Sequence, residues 1–128
     1  MGYRVLHVED EPDIREVVKL SLALDPDLSV KSCEGGADAL SEAAAWLPDV
    51  ILMDAVMPGM DGPEIFANLR NDRRTATIPV VFMTARAQES EIARFMALGA
   101  AGVIAKPFDP LSLAKSVRAC LDGRRKAS

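Results

Sequence analysis

The sequence predicts one α/β domain in three layers, a parallel sheet covered by helices on both faces. Three observations predict it. Short apolar runs recur at residues 4–8, 28–33, 50–53, 79–83 and 102–105. Each is followed by a stretch with apolar residues at helical spacing, and strict strand–helix alternation with short connections means parallel strands and right-handed crossovers. The run Val50-Ile51-Leu52-Met53 is apolar without alternation, as in a strand buried on both faces.

Taken in order, the first strand stops at Glu9-Asp10-Glu11-Pro12, and Pro12 suits the first turn of a helix, where its missing N–H is not needed. Ile14, Val17, Val18, Leu20, Leu22 and Leu24 follow at helical spacing, closed by Asp25-Pro26-Asp27. In the second strand Leu28 and Val30 alternate with Ser29 and Lys31, and Glu34-Gly35-Gly36 is a turn. An Ala-rich helix over 37–46 ends near Leu47-Pro48, because the residue before a proline avoids the helical region. The third strand delivers Asp54, and Met57-Pro58-Gly59-Met60-Asp61-Gly62 forces a turn. Pro63 opens a helix to about Asn71 with Ile65, Phe66 and Leu69 inward. The fourth strand ends in Thr84-Ala85. The helix over 89–98, with Ile92, Phe95, Met96 and Leu98 apolar, is stopped by Gly99. After the fifth strand come Lys106-Pro107-Phe108 and a last helix over about 110–121, capped by Asp109 or a neighbour, with Leu111, Leu113, Val117 and Leu121 inward.

A length of 128 residues suits a single domain, 1–128 with its core over 3–121 and no output domain expected. The net charge of −4 argues against a dedicated nucleic-acid binder, and Arg124-Arg125-Lys126 is expected to be a solvated tail. No apolar run approaches the roughly 18 to 20 residues that span a membrane, and the N-terminus enters a strand with no room for a signal peptide. A cytoplasmic location is expected. Cys33 and Cys120 are too few and too far apart for a disulfide framework or a zinc site, and read as small apolar residues with reduced thiols. His7 reads as a packed or edge-facing strand residue.

In a parallel sheet the strand C-termini share one edge, where α/β folds bind ligands. That edge collects Glu9, Asp10, Asp54, Thr84 and Lys106. Singly, these are helix starts, caps or a solvated cation; together they form a rim of carboxylates, a hydroxyl and an ammonium. Two like charges about 4 Å apart cost roughly 4 kcal/mol at an effective dielectric near 20. Such a cluster holds a proton or binds a hard cation, and oxygen ligands with open positions suit Mg²⁺ together with a phosphate. With the cation present, Asp54 can stay ionised and act as a nucleophile, giving an aspartyl phosphate. Lys106 and the Thr84 hydroxyl are suitable donors to its new oxygens.

Glu-Asp-Glu-Pro after the first strand, Asp54 with its Met-Pro-Gly-Met-Asp-Gly turn, Thr84-Ala85 and Lys106-Pro107-Phe108 together resemble the receiver domain of two-component response regulators, from about Tyr3 to Leu121. The resemblance implies a flavodoxin-like (βα)5 fold with strand order 2-1-3-4-5. It also implies phosphotransfer to Asp54 from a histidine kinase or a histidine phosphotransfer protein, so that the chain catalyses only its own phosphorylation and dephosphorylation. By the same resemblance Asp10, Asp54 and the backbone carbonyl of Val56 bind Mg²⁺, and Glu9 acts mainly through water. Thr84 is the switch hydroxyl, Lys106 the phosphate partner, and the Lys106–Pro107 bond is cis. Output is implied through the last helices and the fifth strand, with Phe95, Met96 and Leu98 as candidates unless they are core. It would reach a protein partner or a relay, from a monomer or a phosphorylation-dependent dimer, with no nucleic acid or membrane involved.

Two positions depart from the family pattern. Val103 stands where an aromatic switch residue is frequent, and Val56 where many relatives are polar. Val56 cannot orient an attacking water, and Arg86, two residues after Thr84, could cover the phosphoryl group; a long-lived phosphorylated state is expected. The alternatives fit less well. A phosphohydrolase of the haloacid dehalogenase type needs a second acid two residues after the nucleophile, where Val56 stands. A flavin-binding flavodoxin needs a phosphate-cradling first loop, and Glu9-Asp10-Glu11-Pro12 would repel a phosphate. A phosphorylation-independent binding module would not need the intact acid, hydroxyl and lysine set.

Overall fold

Alternating strands and helices give β1 (Tyr3–Val8), α1 (Pro12–Leu22), β2 (Leu28–Cys33), α2 (Gly36–Trp46) and β3 (Val50–Asp54). The second half gives α3 (Gly62–Arg70), β4 (Val80–Thr84), α4 (Glu89–Leu98), β5 (Gly102–Ala105) and α5 (Leu113–Ala127). The computed structural model describes residues 2–127, and side chains as far as residue 122. The strands form one parallel sheet in the order β2-β1-β3-β4-β5, the flavodoxin-like arrangement expected. β3 and β4 lie at its centre and are buried at every residue, which is why their sequences do not alternate.

Successive strand residues point to opposite faces, so the sheet divides the core in two. Leu6, Val8, Ile51, Met53, Val80 and Phe82 meet Ala39 and Ala43 of α2, Ile65 and Leu69 of α3 and Phe95 of α4. There Phe82 stacks on Phe95 with ring centroids 4.5 Å apart and tilts against Phe66. On the other face Val5, Val50, Leu52, Val81 and Met83 meet Val18 and Leu22 of α1 and Leu113, Val117 and Leu121 of α5.

The helix ends follow local chemistry. The Asp61 side chain accepts the Glu64 N–H at 3.1 Å and caps α3, with Pro63 in its first turn. Gly99, at φ 108°, ends α4 as expected.

Three expectations need correction. The last helix starts at Leu113, not at 110, because the Asp109 carboxylate accepts the Leu111 N–H and its carbonyl accepts the N–H groups of Ser112 and Leu113, making a turn of that stretch. Leu111 therefore points out, 76% exposed, instead of inward. The backbone of α5 continues to Ala127, so the segment expected as a tail is helical, although the side chains of Arg124, Arg125 and Lys126 lie outside the described residues. Of the candidate output residues, Phe95 is core and only Met96 and Leu98 are exposed. Cys33 and Cys120 are both free thiols. No helix among the described residues is long and apolar enough to cross a membrane.

Candidate functional site

Strand register builds the site. Val8 lies beside Met53, Asp54 beside Met83 and Thr84 beside Ala105, so Glu9, Asp54, Thr84 and Lys106 leave neighbouring strands at nearly one level. The Lys106 N–H donates to the Thr84 carbonyl at 2.8 Å and extends the ladder to the rim. Carboxylate oxygens of Glu9, Asp10 and Asp54 come within 4.8 Å of one another. The Lys106 ammonium bridges two of them, 3.0 Å from Glu9 Oε1 and 3.1 Å from Asp54 Oδ1.

Glu9 is fully buried and Asp54 nearly so. Burial pushes the Glu9 carboxyl up to about 7, aided by the charge of Asp54 and opposed by its hydrogen bond to Lys106. For Lys106, burial works to lower the pKa, but the hydrogen bond to Glu9 and the charge of Asp54 outweigh it and the net shift is upward. One ammonium thus faces three acids. An all-oxygen donor set with unbalanced negative charge fits a hard divalent cation such as Mg²⁺, with Glu9, Asp10 and Asp54 as the residues that could hold it.

The remaining expected residues border the cluster. The Val56 side chain is 78% exposed, and its N–H points back to Asp54 Oδ1 at 3.5 Å. Thr84 is buried, with its hydroxyl oxygen accepting the Arg86 N–H at 3.0 Å. Val56, Thr84 and Arg86 line one cleft of about 520 Å³ together with Arg94 and Phe95. The Lys106–Pro107 peptide is cis.

Three residues matter here more than their sequence positions suggested. His7 is fully buried beside the rim, and neither ring nitrogen has a hydrogen-bond partner among the described residues. Burial, then the charges of Lys106 and Arg15, hold its pKa down to about 4, so it is neutral. Gly62 donates its N–H to the Ala55 carbonyl at 3.1 Å, and a Cβ there would sit 2.9 Å from the Asp54 carbonyl oxygen and 3.0 Å from the Ala55 Cα. Its signal in the sequence was its place between Asp61 and Pro63, read only as a turn. Arg15 donates to the Glu9 carbonyl at 2.8 Å. Nothing in the sequence distinguished it from a solvated residue of α1.

The family model described as response regulator receiver domain matches residues 5–118. The chain belongs to that family. This receiver is 36% identical over 121 residues to protein PilH of Pseudomonas aeruginosa, covering 94% of the chain and 98% of PilH. It shows the same identity to the phosphate regulon transcriptional regulatory protein PhoB of Escherichia coli, of whose length the match covers only 52%. Among solved structures it resembles the signal receiver domain of NarL from Mycobacterium tuberculosis, with a TM-score of 0.85 and 34% identity over 96% of this chain and 98% of that one. The chemotaxis response regulator CheY4 of Vibrio cholerae gives the same TM-score at 29% identity, over 94% and 99%. The receiver is thus a signalling domain of the two-component type and not a conventional enzyme.

Proposed function

We propose that this receiver accepts a phosphoryl group on Asp54 from the phosphohistidine of a histidine kinase or a histidine phosphotransfer protein. The reaction depends on Mg²⁺ held by Glu9, Asp10, Asp54 and the Val56 carbonyl, and takes place in the cytoplasm. The observation that carries this reading is Asp54 itself, a nearly buried carboxylate 3.1 Å from the Lys106 ammonium inside a cluster of acids. An Asp54 oxygen attacks phosphorus; the new O–P bond forms as the P–N bond breaks, and the imidazole nitrogen keeps the electron pair. Mg²⁺ supplies neutralisation of the phosphoryl oxygens when bound. Lys106, already between Glu9 and Asp54, needs only a small movement to pair with a phosphoryl oxygen. The Thr84 hydroxyl uses its oxygen on the Arg86 N–H and keeps its proton for donation.

A protein donor is supported by the surface beside the rim. Ile14 and Val17 of α1 line an apolar groove with Phe108 and Pro110 that begins at Lys106 and Ala85, and Leu20 and Leu24 continue the exposed apolar face. The signal then leaves as phosphorylation-dependent protein binding or as onward transfer.

The deciding experiment is intact mass after incubation with Mg²⁺ and a small-molecule phosphodonor. Wild type is expected to gain one phosphate and Asp54→Asn none. No adduct on wild type, with no Mg²⁺ binding, would make the domain a phosphorylation-independent binder.

A further inference from the structure

We infer that Arg15 is a positioning residue for the acidic half of the site, pinning the Glu9–Asp10 turn from α1 so that its carboxylates are placed for a divalent cation; the inference rests on the Mg²⁺ reading above. At Glu9 the chain leaves β1 and must present two successive acids. The Glu9 N–H is tied to the Cys33 carbonyl of β2 at 3.0 Å, and its carbonyl accepts Arg15 Nη1 at 2.8 Å. The turn is therefore held from both sides, by the neighbouring strand and by the first helix. Arg15 is itself fixed in the helix, its N–H donating to the Glu11 carbonyl at 3.0 Å. Its side chain is only 19% exposed, and its second arm reaches the well-exposed Glu34 at 3.5 Å.

The guanidinium sits behind the acids rather than among them: among the described residues its ion pair is with Glu34, not with Glu9, Asp10 or Asp54. Two physical effects of Arg15 on a cation therefore have opposite sign. By Coulomb's law, a positive charge near the site repels Mg²⁺, so removing it should tighten binding. As a hydrogen-bond donor that orients a ligand-bearing turn it should favour binding, and removing such a partner typically weakens metal affinity about 10- to 100-fold. Half-buried and fixed at 2.8 Å to the Glu9 carbonyl, Arg15 is placed for the second effect to win.

Calorimetric titration of the full chain with Mg²⁺ alone separates them. Arg15→Gln is expected to bind Mg²⁺ about tenfold more weakly than wild type. Arg15→Lys, which keeps the charge and one donor, should recover most of that loss, and Glu34→Gln should bind as wild type does. Thermal melts without Mg²⁺ are run in parallel; a lower melting temperature with unchanged Mg²⁺ affinity would reduce Arg15 to a structural clamp and overturn the inference. Mg²⁺ binding by Arg15→Gln that equals or exceeds wild type would also overturn it. Should the glutamine variant not fold, Arg15→Leu, which keeps the packed stem, is read by the same outcomes. A wild-type protein that binds no Mg²⁺ overturns the metal reading itself, a result distinct from either of these.

Discussion

At the amino edge of the sheet, Arg118 of α5 reaches Asp25 at 2.7 Å and Asp27 at 3.2 Å, while the Arg4 N–H donates to the Asp49 carboxylate at 2.7 Å. Arg4 and Lys31 also both lie over the Trp46 ring. At the carboxyl edge, Glu9, Asp10 and Asp54 crowd together with one ammonium between them, and His7 is buried without a partner among the described residues. The same strands thus begin among acids that are each ion-paired or hydrogen-bonded and end in a crowd of acids around one ammonium. An imbalance of like charges costs stability unless something binds to relieve it. The difference separates the end that holds the fold from the end that waits for a ligand.

The largest expected effect is in the pH dependence of the unliganded protein. His7 titrates near 4 in the fold against 6.5 when unfolded, because burial first, then Lys106 and Arg15, disfavour its cation. Its contribution is fully present above pH 6.5 and lost as pH falls through about 4. Glu9 runs the other way: with its pKa raised to about 7, its contribution is present below pH 4.5 and lost as pH rises through 7. Between those limits the two slopes oppose each other, and wild type should be nearly flat. Glu9→Gln should expose the His7 slope, with stability rising by about 3 kcal/mol from pH 4 to 6.5 in urea denaturation without divalent ions. Arg118→Gln, at the other edge, should leave the wild-type profile unchanged in shape above pH 5, because Asp25, held below its ordinary value by Arg118, stays ionised there in either protein. A Glu9→Gln profile as flat as that of wild type would break the comparison at its source.

A smaller effect concerns how long the carboxyl edge keeps its phosphate. Val56 projects into solvent beside the cleft lined by Thr84 and Arg86, with no polar group to orient water for attack. Val56→Asn supplies an amide there. Autodephosphorylation is expected to become about tenfold faster, equivalent to ~1.4 kcal/mol off the barrier. It is measured as loss of the phosphorylated mass with time after donor removal; an unchanged rate would remove Val56 from any account of the lifetime.

These expectations show where sequence reading was strong. Parallel strands and the rim residues were legible because β-α alternation leaves few topologies and puts every strand C-terminus on one edge, while the strand order followed from the resemblance to receiver domains. β2, α4 and β5 fall at the residues expected. What the pattern missed was set by single hydrogen bonds or by missing atoms. Asp109 turns residues 110–112 away from the helix through bonds that leave no trace in hydrophobic spacing. The apolar run of α1 is wider than its buried stripe, so Val17, Leu20 and Leu24 match the period yet face out. Gly62 fits against the Asp54 carbonyl only for want of a Cβ, and Arg15 reads as a surface cation until the turn it holds is seen in three dimensions.

The smallest effect tests the stability-bearing end. α2 closes on Leu47 in the left-handed region, at φ 52°, with its N–H donating to the Ala43 carbonyl at 3.0 Å. A side chain there costs roughly 1–2 kcal/mol, and Leu47 is 53% exposed, so it recovers little through burial. Glycine adopts this conformation without the clash but loses more entropy on folding, which offsets part of the gain. Leu47→Gly should therefore stabilise by about 1 kcal/mol, seen as a melting temperature higher by roughly 3–5 °C. Mg²⁺ affinity should not move, because Leu47 lies at the opposite edge from Glu9, Asp10 and Asp54. A gain in stability accompanied by a change in Mg²⁺ affinity would mean that the two edges are coupled through the strands they share, and that the division of labour between them is not built into the sheet.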